Sequence, residues 1–268
     1  MAQSARSIFR SRGVSLPGRW QTPGAQYEDA FALEEKQVPA NSALNLFREP
    51  TLNHYHVDAA RTIGEAFEQY LDGISAAICK AIAQWMRTTF VTGVTITGPV
   101  GQMPAGAVAG PALMPLILAS APGKTAMEAR YSAAIAGAIG TAWQAWQRGL
   151  TGTLMYPAFG AFAGPLAPPT PNVPVPLMAL SSCGESRLCP GALKQAMADL
   201  FADPGALHAE SIFDAVAQSF NRAFQTFKKT TVVSNVLGSG PVPSFAPPLV
   251  PAGPVAAGTV IPKPGVLS

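Results

Sequence analysis

The sequence predicts an α+β fold, in which two or three repeated units, each a helix, a strand and an extended arm, pack as a helical core with Pro/Gly-rich arms. Three observations predict it: amphipathic helix periodicity, an internal repeat, and long stretches without charge. The chain has 268 residues, of which 48% are hydrophobic and only 12% are charged. This length buries a core without disulfides. The composition excludes a charge-rich disordered chain, a coiled coil and a collagen.

Apolar residues at helical spacing predict four helices. The first and clearest carries one apolar face from Ile63 to Met86. The others are predicted over Thr125–Arg148, Gly191–Phe201 and Glu210–Lys229. The second of these four is so rich in alanine and glycine that another backbone can approach it closely. Short β-branched runs predict strands at Thr89–Thr92, Val94–Thr97 and Thr230–Val233.

The repeat appears when the chain is shifted by 142 residues, which aligns Leu71–Val100 with Phe213–Val242 without a gap. Nine of the thirty aligned positions are identical. A weaker third copy appears at a shift of 61, where Trp146 matches Trp85. The interpretation is an N-terminal arm or linker over residues 1–53 and repeat units over residues 54–123, 124–190 and 191–268. The alternative is that any amphipathic helix resembles another.

Three stretches contain no Asp, Glu, Lys or Arg: Thr88–Gly123, Gly149–Gly184 and Thr230–Pro262. Such stretches are either disordered or covered by another protein surface, and their apolar content favours the second alternative. Recurrent prolines argue against membrane-spanning helices, because each removes a backbone donor that lipid cannot replace. We therefore predict arms that pack against other protein surfaces. We expect the last arm, Val242–Ser268, to be dispensable for folding of the helices but required for the oligomer.

The residues expected to contact neighbouring subunits are large apolar side chains of the helix ends and arms: Trp85, Val94, Ile96, Met114, Ile117, Trp146, Tyr156, Phe159, Phe162, Phe227, Phe245 and Val250.

Few motifs in the sequence suggest a catalytic or ligand-binding site. Ala121–Thr125 resembles a phosphate-binding loop, but Leu118 stands where that motif needs a glycine, so we interpret the segment as a turn that caps a helix. Extended backbone would place His54, His56 and Asp58 on one face as metal ligands, although a solvated polar run is the favoured interpretation.

Other candidate groups also have ordinary structural explanations. Cys183 and Cys189 either form a small disulfide loop or stay reduced, which we favour, and Cys79 is expected to be buried. Trp143 and Trp146 are interpreted as core residues rather than as a stacking platform for bases.

The predicted function is that of a non-enzymatic structural subunit of a large assembly, such as a phage virion, a tail-like injection particle, a shell or a filament. The expected partners are copies of the chain and other structural subunits. The net charge of +3 argues against nucleic acid as the main partner. We expect no cofactor and no metal, and a location in the cytoplasm or in a particle, without a secretory signal. The alternative is a membrane-associated or pore-forming protein.

Overall fold

The structure is a computed structural model that describes residues 1–12, 43–157, 159, 166–203, 205–206, 208–243, 245–246, 250–251 and 254–268. For residues 43–61 and for the short strands at 245–246 and 250–251, the description covers the backbone only.

The fold is a mixture of helix and sheet, which confirms the predicted α+β class. The α-helices within the described residues are α1 (Ala2–Ser11), α2 (Ala43–Thr88), α3 (Leu113–Leu118), α4 (Ala126–Gly149), α5 (Pro190–Phe201) and α6 (Ala209–Thr230). Single 3-10 turns occupy Leu177–Ala179 and Glu185–Leu188.

The helix predictions from periodicity are confirmed for α4, α5 and α6, whose observed ends lie within one residue of the predicted ends. In contrast, α2 begins at Ala43, well before the predicted start at Ile63. Between residues 51 and 63 the chain contains neither glycine nor proline, so nothing in that run interrupts the helix. The polar run of residues 54–58 is therefore helical, not extended.

The strands are short and antiparallel. They are β1 (Phe90–Val91), β2 (Thr95–Thr97), β3 (Val100–Met103), β4 (Val108–Ala109), β5 (Leu150–Met155), β6 (Leu166–Pro171), β7 (Val175–Pro176), β8 (Ser181–Ser182), β9 (Val232–Val233), β10 (Leu237–Pro241), β11 (Phe245–Ala246), β12 (Val250–Pro251) and β13 (Thr259–Ile261). The predicted strands contain β1, β2 and β9.

The strands form one four-stranded sheet, β2-β3-β5-β8, and one three-stranded sheet, β13-β10-β6. The remaining strands associate in pairs: β1 with β4, β7 with β9, and β11 with β12. The sheets therefore join segments far apart in sequence, since β6 and β10 come from different uncharged stretches.

Helix α4 is the centre of the core. Its residues 134–140 are all buried, as expected for a helix that is apolar on every side. Gly140 lies against Met114 of α3, and a β-carbon added to Gly140 would be 2.9 Å from the Met114 backbone nitrogen. This contact bears out the expectation that another backbone approaches this helix closely.

Helices α2, α4 and α6 run in the same direction. The ring of Tyr131, near the start of α4, lies 5.9 Å from the ring of Tyr70, in the second half of α2, and 5.7 Å from the ring of Phe213, near the start of α6. At their ends, the ring of Trp146 lies 6.1 Å from that of Trp85 and 6.3 Å from that of Phe227. Because the contacts follow the same order along each helix, from Tyr70 to Trp85, from Tyr131 to Trp146 and from Phe213 to Phe227, the three helices run in the same direction.

The first residues of the chain, placed in the arm or linker over residues 1–53 by the sequence analysis, fold into α1. Ala5, Ile8 and Phe9 are buried on one face of this helix, which packs between α2 and α6. Its arginines form ion pairs with acids of those two helices: Arg6 with Asp72, Arg10 with Glu68, and Arg12 with Asp214. This helix is thus part of the chain's own core.

The described parts of the three uncharged stretches supply all thirteen of the strands given above, and many of their apolar side chains point inward. Val91, Leu154 and Val236 are examples of buried residues in these stretches. The end of the chain behaves similarly, since Val255, Val266 and Leu267 are also buried. Much of the apolar content of the stretches is therefore covered by the chain itself.

A candidate interaction surface

Half of the residues predicted to contact neighbouring subunits are buried inside the chain. These residues are at most 3% exposed: Trp85, Val94, Ile96, Ile117, Trp146 and Tyr156. Phe159 and Phe227 are partly buried against the same core. A subunit could contact these six side chains only if the chain's own core opened. Their burial in that core already explains why they are apolar.

The remaining predicted residues differ in position. Met114 is 42% exposed and shares one face of α3 with the exposed Leu118. Phe162 lies outside the described residues, and the side chains of Phe245 and Val250 do too, although their backbones form β11 and β12. Among the described side chains, Met114 is the predicted contact that is well placed to meet a neighbour.

The tryptophans near the ends of α2 and α4 form the aromatic part of the core. The ring of Trp143 lies 5.0 Å from that of Trp85 and 4.8 Å from that of Trp146. The Trp85 indole Nε1–H donates to Gln147 Oε1 at 2.9 Å. The interpretation of Trp143 and Trp146 as core residues is confirmed, because both are almost fully buried.

The turn before α4 caps the helix, as predicted. The Thr125 hydroxyl oxygen accepts from the backbone N–H of Glu128 at 3.1 Å. The Glu128 carboxylate in turn accepts from the backbone N–H groups of Lys124 and Thr125. A phosphate group would need free amides at this helix start, and the carboxylate already occupies two of them.

The cysteines and histidines form no recognisable site in the described part of the chain. Cys183 and Cys189 are free, which agrees with the favoured interpretation. The expectation that Cys79 is buried is wrong, because it lies on the exposed side of α2. Within the residues whose side chains the structure describes, no three His, Cys, Asp or Glu residues lie close enough together to hold a metal ion.

One exposed surface stands out: the side of the three-stranded sheet that bears Leu166, Leu237 and Ile261. We call it the outer face. Leu237 of the central strand β10 lies opposite Ile261 of β13 and opposite Pro171 of β6. Leu166 is 60% exposed and Ile261 is 43% exposed. The other side of the sheet is buried, since a β-carbon on Gly238 would be 2.6 Å from both Ile96 and Tyr156.

No strand of this sheet contains a charged residue. Two further exposed apolar side chains, Met155 and Val173, lie beside it. They are held together by a hydrogen bond from the Val173 N–H to the Met155 carbonyl oxygen at 2.7 Å. Exposed apolar residues that cluster without charge commonly mark interaction sites.

The sheet edge formed by β6 is protected against pairing with another strand. Pro168, Pro169 and Pro171 of this strand lack the N–H group that a further strand would need. Contacts through this sheet would therefore be made by its outer face and not by extension of the β6 edge.

The sequence analysis did not select the residues of the outer face. Period-two alternation, as in Thr259-Val260-Ile261, does separate two sides of a strand. It does not say which side faces the core until the partner strands are known. The large aromatic residue Tyr156 was chosen for the surface, whereas its neighbour Met155 is the exposed one.

Among the helices of the described residues, none is both long enough and apolar enough to cross a membrane. Neither a protein family, nor a curated protein, nor a solved structure matches this chain.

Proposed function

We propose that the chain is a non-enzymatic structural subunit of a large protein assembly, of the type found in a phage virion, a tail-like injection particle, a shell or a filament. The observation that carries the proposal is the uncharged, exposed outer face of the β13-β10-β6 sheet. A chain that works alone usually covers such a surface with charged side chains, because these are rarely buried. Exposed apolar area of this kind is stabilised when another protein covers it.

The outer face favours copies of the same chain or similarly uncharged subunits as partners. Two such faces meet without removing a charged group from water, so the large cost of desolvating an ion does not oppose their contact. The prolines of β6 discourage uncontrolled growth by strand pairing while leaving the face accessible. This combination is typical of a surface built for association with a defined partner.

We also propose that the chain contains two or three helix–strand–arm units, with boundaries at residues 54–123, 124–190 and 191–268. Equivalent local geometry at the shift of 142 residues supports this. The N–H of Thr89 donates to the Trp85 carbonyl oxygen, and that of Thr231 donates to the Phe227 carbonyl oxygen. Four residues after each threonine, Gly93 has a φ of 66° and Asn235 has a φ of 58°. This left-handed conformation is uncommon for residues other than glycine.

Introducing charge on the outer face tests the assembly. We expect the native chain to be oligomeric, and the double variant Leu166→Glu/Ile261→Glu to be a folded monomer, because each carboxylate would lose its hydration in the contact. Native mass spectrometry and electron microscopy measure the state, and circular dichroism checks the fold. Leu200→Glu is the matched control, because Leu200 is 57% exposed but lies on α5, away from the sheet.

A native chain that is monomeric at micromolar concentration contradicts the proposal. If that monomer also floats with liposomes, the result favours the alternative of a membrane-associated protein whose outer face lies on lipid. A double variant that remains oligomeric contradicts the role of the outer face.

A further inference from the structure

Helix α1 lies in a groove formed by α2 around Phe67 and by α6 around Asp214, which we call the α1 seat. Ile8 and Phe9 are buried there, and the ring of Phe9 lies 5.4 Å from that of Phe67. A helix of ten residues is marginal in water on its own, so α1 depends on a seat for its structure.

The charges of α1 and of its seat are complementary. Residues 1–12 contain three arginines and no Asp or Glu. Each arginine forms an ion pair with an acid of the seat: Arg6 with Asp72, Arg10 with Glu68, and Arg12 with Asp214. The seat therefore fits a basic amphipathic helix, and every further copy of this chain carries one.

The seat lies at the end of the molecule where α4 and α6 begin. Ile63 of α2 lines the same small cavity as Thr125, the N-cap of α4, and Ile212 of α6. Helix α1 runs antiparallel to α2, since Arg6 pairs with the later acid of α2 and Arg10 with the earlier one. The end of α1 is consequently directed towards the start of α2.

Helix α2 begins well beyond the seat. From Ala43, its first residue, to Glu68 the helix advances 25 residues, which is about 37 Å at 1.5 Å per residue. The chain that leaves α1 therefore enters α2 at a point far from its own seat. To place α1 on that seat, the connecting segment must return along most of this length.

The connecting segment is long enough to reach a second seat. Residues 12–42 are 31 residues, which span at most about 100 Å when extended. That length covers the return to the chain's own seat and also the distance to the seat of an adjacent copy. Both seats are held near the tether, so each has an effective concentration of about millimolar order.

We propose that, within the assembly, α1 of one copy docks on the α1 seat of a neighbouring copy and so links the two subunits. The inference rests on the proposed function, because contacts such as those of the outer face first bring the copies together. An isolated chain keeps α1 on its own seat. Exchange costs no contact, because the same ion pairs and the same apolar packing form between chains.

Carbodiimide cross-linking of an isotope-mixed assembly tests the exchange. Equal amounts of the full chain with natural and with heavy nitrogen, both carrying Arg10→Lys, are mixed in guanidinium chloride and refolded together. The carbodiimide condenses the introduced amine with the Glu68 carboxylate, and mass spectrometry reads the isotope of both linked peptides. We expect mixed-isotope pairs to be as abundant as single-isotope pairs, because a neighbour is labelled at random.

The ion pair of Lys194 with Glu210, at 2.5 Å, is the matched internal control. It joins α5 to α6 away from the seat, so its cross-link should contain one isotope only. In the Leu166→Glu/Ile261→Glu background, where we expect a monomer, the α1 cross-link should also contain one isotope only.

Reversing the charges of α1 and of the seat on separate chains gives a second readout. Arg6→Glu/Arg10→Glu and Glu68→Arg/Asp72→Arg should each need about tenfold higher concentration to assemble, because like charges meet at every seat. An equal mixture of the two should assemble like the native chain, since each helix then finds a complementary seat on the other chain. The chain with all four substitutions is the control for folding.

Single-isotope α1 cross-links in an oligomeric native chain, absence of the α1 cross-link, or a mixture that assembles no better than its components would overturn the inference. Each of these results leaves the proposed function intact. A native chain that is monomeric overturns both.

Discussion

At the scale of single residues, Tyr156 shows how completely an apolar environment surrounds a polar group in this core. The residue is 3% exposed, and its ring stacks on that of Phe159 at 5.6 Å. Its hydroxyl has no hydrogen-bond partner within the described residues. Burial raises the pKa of the Tyr156 hydroxyl to about 12, because the charged form would lose its hydration.

We therefore expect Tyr156→Phe to stabilise the chain at neutral pH. Removing an unsatisfied buried hydroxyl regains about 1 kcal/mol in the free energy of unfolding, while the ring contacts remain. Urea denaturation at pH 7 measures the change. Tyr70→Phe is the control, because the Tyr70 hydroxyl lies 3.4 Å from Ser132 Oγ and has a partner to lose. A destabilised Tyr156→Phe would indicate a hydrogen bond that the structure lacks.

At the scale of elements, the contact of α3 with α4 depends on one glycine. Gly140→Ala would place a β-carbon 2.8 Å from the Met114 β-carbon and 2.9 Å from its backbone nitrogen. We expect the free energy of unfolding to fall by about 1–3 kcal/mol, because backbone atoms cannot move aside as a flexible side chain can.

Gly64→Ala is the matched helical control for this substitution. Among the described residues, no atom lies within 4 Å of the β-carbon that it would add to α2. Alanine has a higher helix propensity than glycine, so this variant should gain about 0.5–1 kcal/mol. Thermal and urea denaturation of both variants measure the difference, and equal effects would contradict the close packing of α3 on α4.

How well an element could be predicted depends on how far apart in the sequence its interacting residues lie. The ends of α4, α5 and α6 could be predicted because the signals are local: an apolar period, the Thr125 cap, and the turn after Phe201. The early start of α2 could not be predicted, because residues 43–62 have no clear apolar face of the kind that indicates a helix.

The strands show the opposite case. β1, β2 and β9 are signalled by local β-branched residues, but the pairing of β6 with β10 joins residues about 70 apart in the chain. The outer face exists only through that pairing. The sequence could therefore predict uncharged, apolar segments, but not which of their side chains remain exposed.

At the scale of the whole molecule, the end of the chain contributes to the core, in contrast to the expectation that it is dispensable for folding. β13 pairs with β10, and the backbone of Ser268 pairs with Val232. We expect a chain truncated before residue 254 to lose most of its stability, because four buried residues are removed: Val255, Val260, Val266 and Leu267.

Burial of each of these side chains contributes about 1.5–3 kcal/mol, so their sum is comparable with the stability of an ordinary domain. Circular dichroism melting of the truncated chain measures the loss, and Lys263→Ala is a control within the same segment. A truncated chain that melts at the native temperature would show that residues 254–268 act as an independent arm.

The common direction of α2, α4 and α6 gives the molecule two different ends along these helices. In most bundles neighbouring helices alternate and their dipoles cancel, whereas here the dipoles of the three longest helices add and the shorter α1 and α5 oppose them. The last turn of each of the three helices contains a basic residue: Arg87, Arg148 and Lys229. The two poles of the molecule are consequently different surfaces, and any column of identically oriented copies would have a head and a tail.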